Sequence, residues 1–107
     1  MAQRLHVLQQ ILEKSPNDAF ALFAIAKEHE GLGDSEQALA FYLRLQSADP
    51  AYVGLYYHLG KLYEKLNRPD DALATYRTGM DVARKAGDMH ALSELNGARM
   101  EIDDEDV

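Results

Sequence analysis

An all-α fold is what this sequence predicts, and three observations predict it. The stretch "DALATY", Asp71 to Tyr76, repeats "QALAFY", Gln37 to Tyr42, at an offset of 34 residues. Apolar residues follow three-and-four spacing, as in Leu55, Tyr56, Leu59, Leu62, Tyr63 and Leu66, which is the period of a helix that buries one stripe. No run alternates apolar and polar residues in the way a half-buried strand requires.

The offset holds well beyond the hexamer. Lys27 matches Lys61, Glu30 matches Glu64 and Leu32 matches Leu66. Residues of like character pair between them: Ile25 with Leu59, Ala26 with Gly60, His29 with Tyr63, Gly33 with Asn67. Pro50 falls on Pro16. An internal repeat of this length means a supersecondary unit that buries its apolar face against its neighbours.

The elements follow in order. Residues 3–16 form a leading helix, with Leu5, Leu8, Ile11 and Leu12 on its apolar side and Pro16 at its end. Residues 17–50 form the first unit of two helices. Gly33 can take the left-handed backbone that ends the first helix, Asp34 or Ser35 caps the second, and Pro50 closes it. Residues 51–84 form the second unit. Asn67 plays the part of Gly33, and Pro69 suits a first helical turn because its missing N–H has no partner there. Asp70 and Asp71 sit near the positive end of that helix. Arg84 stands where the first unit has its proline, so residues 85–102 continue the helix to a break at Gly87 and Asp88. A closing helix follows, with Leu92, Leu95, Ala98 and Ile102 on its apolar face. Six helices are expected: one leading, two pairs and one closing. Residues 103–107, starting at Asp103, read as a frayed and solvated acidic tail.

Length and composition bound the function. A chain of 107 residues is one small domain with a modest core. No cysteine is present, which removes disulfides, thiolate nucleophiles and cysteine-based zinc sites. Acids outnumber bases 18 to 11, the wrong sign for displacing counterions from a nucleic acid. No apolar run approaches the ~20 residues of a membrane span. The opening "MAQRLHVLQQ" lacks the continuous apolar core of a signal peptide, so a cytoplasmic location is expected, without nucleic acid or membrane as partner.

The unit pattern resembles the tetratricopeptide repeat, W-x2-L-G-x2-Y, then A-x3-F, then P. The second unit reads Tyr56, Leu59, Gly60, Tyr63, Ala72 and Tyr76; the first reads Leu22, Ile25, Ala26, His29, Ala38, Tyr42 and Pro50. Tyr or Leu replaces the tryptophan, and Arg84 replaces the second proline. The resemblance implies a right-handed superhelical stack of antiparallel helix pairs, an α-α solenoid with flanking capping helices. It also implies a concave groove lined by the first helix of each unit, which binds a peptide or protein segment.

The groove face is the side of each first helix left over from packing. It holds Phe20, Phe23, Lys27 and Glu30 in the first unit and Gly54, Tyr57, His58, Lys61, Glu64 and Lys65 in the second. Three of the five lysines of an acidic chain lie there, which suits a protein or peptide partner bearing acidic groups. A plainer reading pairs Lys27 and Lys61 with Glu30 and Glu64 on their own helices and covers Phe20 and Phe23 with the leading helix. Some members of this family clamp a terminal carboxylate with lysine and asparagine. Here Phe23 stands at the place of the clamp's first lysine and Lys27 at that of its asparagine, so that activity does not transfer.

Chemistry has little to stand on. His6, His29, His58 and His90 come one per helical segment, without ligand spacing, and His29 takes the packing position of Tyr63. "GLGDSE", from Gly31, follows no strand, and "LGK", from Leu59, is a fragment of a phosphate loop inside a helix. Neither enzyme activity, metal nor cofactor is expected. The reading is an adaptor. The alternative is a self-associating assembly protein, a homodimer or larger, with acids from Asp103 to Asp106 lying against a neighbour's lysine row.

Overall fold

The computed structural model describes residues 2–103. Six helices run in order: α1 (Ala2–Lys14), α2 (Ala19–Gly31), α3 (Ser35–Ala48), α4 (Gly54–Lys65), α5 (Pro69–Ala86) and α6 (Met89–Ile102). Among the described residues there is no strand, and no helix is long and apolar enough to cross a membrane.

Three helices stop in the same way. Gly33, Asn67 and Gly87 adopt φ of 78°, 59° and 70° after α2, α4 and α5. Each turns the chain so that the next amide bonds back to the last turn: Asp34 N to His29 O at 2.9 Å, Arg68 N to Tyr63 O at 2.9 Å, Asp88 N to Ala83 O at 2.9 Å. That bond satisfies a carbonyl the helix end leaves open. Three helices also start alike. The carboxylates of Asp18, Asp34 and Asp88 accept from the amides of Ala21 (2.9 Å), Gln37 (3.2 Å) and Ala91 (3.0 Å). Helix α5 starts on Pro69 instead, with Arg68 paired to Asp71 at 2.8 Å. It runs 18 residues against 14 in α3, because no proline halts it at Arg84.

The chain divides into two compact units, Met1–Pro50 and Ala51–Val107. In the first, α1 lies on α2 and α2 pairs with α3. Leu8 of α1 packs with Ala24 and Ile25 of α2, with Leu5, Leu12 and Phe41 around them. His29 stacks on Phe41, ring centroids 5.6 Å apart, the packing role expected of it. In the second unit α5 packs on both α4 and α6, and α4 also meets α6. Helices α4 and α5 approach closely through glycine: a Cβ on Gly60 would overlap the ring of Tyr76, and one on Gly79 would overlap Tyr56. Both tyrosines are fully buried.

The first acid of the tail departs from expectation. Asp103 is 8% exposed, not solvated, and accepts from Arg77 Nη2 at 2.7 Å and Arg99 Nη1 at 3.3 Å. Pairing with two guanidiniums offsets the cost of burying a carboxylate, and Arg77 lies on α5, 26 residues away in sequence. Residues 104–107, the rest of the predicted tail, lie outside the described residues.

Candidate functional site

The groove candidates of the second unit sit on α4, whose opposite face, Leu55, Tyr56, Leu59 and Leu62, is buried. That burial fixes the rotation of the helix and leaves Tyr57, His58, Lys61 and Glu64 half-buried, Lys65 and Gly54 exposed. The rings of Tyr57 and His58 meet edge to face at 5.7 Å. Lys61 Nζ stands 5.6 Å from the centroid of the Tyr57 ring and 3.7 Å from both Glu64 Oε2 and Glu101 Oε2. The predicted pairing of Lys61 with Glu64 is therefore present, and α6 supplies a second carboxylate.

Helix α6 forms the other wall. Gly54, Tyr57 and His58, with Val53, face Ala91, Glu94 and Leu95 across a depression of about 220 Å³. Glu94 lies 3.6 Å from His90 on the same helix. Three of the residues chosen from sequence thus come together in one hollow. Ala91, Glu94, Leu95 and Glu101 were missed. Of these only Leu95 was legible, as part of the closing helix's stripe, but nothing local in the sequence says which helix that stripe meets.

In the first unit, Phe20 is 63% exposed and is not covered by α1. Phe23 is half-buried, its ring tilted against Tyr42 with centroids 6.1 Å apart, and Lys27 is exposed.

The two glutamates have a structural task that sequence reasoning did not assign. The buried hydroxyl of Tyr42 donates to Glu30, and that of Tyr76 donates to Glu64. Burial first, and then the bonded carboxylate, raise both phenol pKa values well above the ordinary tyrosine range. The signal was available: both Glu and Tyr recur at the repeat offset, so one contact is made twice. No buried side-chain polar atom among the described residues lacks a partner. Nor does any group of three or more His, Cys, Asp or Glu among them have the placement to hold a metal ion.

Comparison with known proteins agrees with the helical units. A family model described as the tetratricopeptide repeat matches residues 31–95. No curated protein matches the chain. Among solved structures, a tetratricopeptide repeat domain protein from Salinibacter ruber is 48% identical, with 80% of this chain and 96% of that one covered, at a TM-score of 0.77. A protein from Bordetella parapertussis is 20% identical, covering 95% of this chain and 89% of its own, at 0.79. YrrB, described as a tetratricopeptide protein with an unusual peptide-binding site, is 18% identical, with 92% and 58% covered, at 0.64. The last two likenesses concern the fold alone. With the family's pattern matched over more than half of its length, and close identity to the Salinibacter structure, the chain belongs to the tetratricopeptide repeat family.

Proposed function

We propose that this protein is an adaptor that holds a segment of a partner protein against the first-helix faces of its repeats. The observation that carries the reading is the hollow between α4 and α6, where Tyr57 and His58 face Ala91 and Leu95. It is walled by an aromatic ring and aliphatic side chains, and its volume suits one or two side chains of an extended peptide. The peptide-binding site named for YrrB lends support at the level of fold. Phe20, Phe23 and Lys27 lie on α2, the first helix of the first unit, and belong to that unit's own proposed face.

Affinity comes from the aromatic contacts and not from the lysines. Lys61 already has two carboxylates at 3.7 Å, so an acidic group on the partner takes the place of Glu101, which is 70% exposed, with little net gain. Its charge governs encounter and orientation.

The test is selection of binders from a displayed peptide library, followed by amide shift mapping. Shifts at Tyr57, His58, Ala91 and Leu95 are expected, with Tyr57→Ala weakening binding by about 10-fold or more and Lys61→Ala by less than about 5-fold. Shifts confined to α3 or to the outer side of α5 would reject the groove.

A further inference from the structure

A second surface lies in the same unit, on the side where α5 and α6 run together. Two depressions of about 500 and 270 Å³ share Met80, Arg84 and Asn96, and so form one channel. Arg77 lies towards one end, and Met89 and Leu92 towards the other. Met89 is 65% exposed, among the most exposed large apolar side chains described. With Arg99, three of the chain's six arginines line this channel; Asp81 is the carboxylate on its wall and Asp103 pairs with Arg77 and Arg99, on a protein of net charge −7.

The chemistry that fits is shown by the chain's own residue. The carboxylate of Asp103 accepts from Arg77 and Arg99. A guanidinium has five N–H donors; Arg77 directs one to Asp103 and Arg84 one to Asp81, so each retains capacity for a second carboxylate. Arg77 and Arg84 are seven residues apart on α5, two turns or about 10 Å along its axis. Carboxylates at positions i and i+7 of a second helix have the same spacing. Apolar residues on the adjoining stripe of such a helix meet Met80, Met89 and Leu92, and methionine adapts to side chains of varied shape.

We propose that this channel docks an acidic amphipathic helix of a partner protein, carboxylates on Arg77 and Arg84 and an apolar stripe on Met80, Met89 and Leu92. The surface is separate from the hollow between α4 and α6 and does not depend on that hollow binding anything.

The probe is a synthetic helical peptide of about 15 residues with a leucine stripe and glutamates two turns apart, beside a twin with lysine in place of each glutamate. Binding to the full chain is measured by calorimetry and by labelled methionine methyl shifts. The acidic peptide is expected to bind, to shift Met80 and Met89, and to weaken at least about 10-fold against Arg84→Glu or Met89→Ser, variants at exposed positions checked for folding by circular dichroism. The lysine twin is expected to bind Arg84→Glu better than wild type, while Tyr57→Ala leaves the acidic peptide unaffected. The proposal is overturned if both peptides bind wild type equally, if neither binds, if Arg84→Glu changes nothing, or if Tyr57→Ala abolishes binding.

Discussion

Glu30 and Glu64 show how one residue can carry a task that its place in the sequence does not reveal. From sequence they belong to a charged groove face; in the structure each accepts the hydroxyl of a buried tyrosine on the next helix. Their period sets both on the same flank of equivalent helices, but a period cannot say which distant donor a carboxylate will meet. Removing the donor tests the contact. Tyr76→Phe is expected to cost about 1.5–3 kcal/mol, the range for a hydrogen bond to a charged acceptor, read from urea unfolding. The pH dependence has a definite sign. Both phenols have raised pKa values in the folded state, so their contribution is complete below about pH 10, the unfolded value, and is lost as pH rises beyond it. The double variant Tyr42→Phe, Tyr76→Phe is therefore expected to lose less stability on alkaline titration than wild type; an equal loss would remove the linkage.

Among the elements, α5 shows what one missing proline does. The first unit ends its second helix before Pro50, whereas α5 continues through Arg84 to a left-handed stop at Gly87. The continuation carries Ala83 into the core and sets Asp88 as the cap of α6. Arg84→Pro removes a helical hydrogen bond and sets the proline ring against the preceding turn, at about 3 kcal/mol or more. Unfolding midpoints should fall accordingly, and the amide of Ala91, capped by Asp88, should lose protection from exchange. Survival of both would mean that the last turn of α5 is dispensable. This extension was legible, since Arg84 occupies the expected proline position. The docking of Asp103 was not: a run of acids at a chain end reads as solvated, and only the folded path of α6 brings it to Arg77.

At the level of the whole molecule, most of the architecture was written in the repeat. The 34-residue offset, the stops at Gly33, Asn67 and Gly87 and the first-turn Pro69 account for six helices in their observed order. What the offset could not supply is the meeting of α4 with α6, because the closing helix keeps no exact register with the units before it. Burial is also uneven along the chain. Leu8 is the one buried apolar side chain described in α1, whereas α4 buries Leu55, Tyr56, Leu59, Leu62 and Tyr63. Local opening follows buried contact, so amides of α1 are expected to exchange with solvent fastest among the six helices, and those of α4 and α5 slowest. Native-state hydrogen exchange resolved by residue decides this; uniform protection would contradict it.

The paired tyrosines also make the chain report on itself. It has six tyrosines and no tryptophan, so tyrosine alone sets its ultraviolet emission. A carboxylate bonded to a phenol quenches its emission, so Tyr42 and Tyr76 are expected to be dim while the helices are packed. Melting frees both hydroxyls, and the chain is expected to brighten as it comes apart; emission that holds or falls through the transition would refute this.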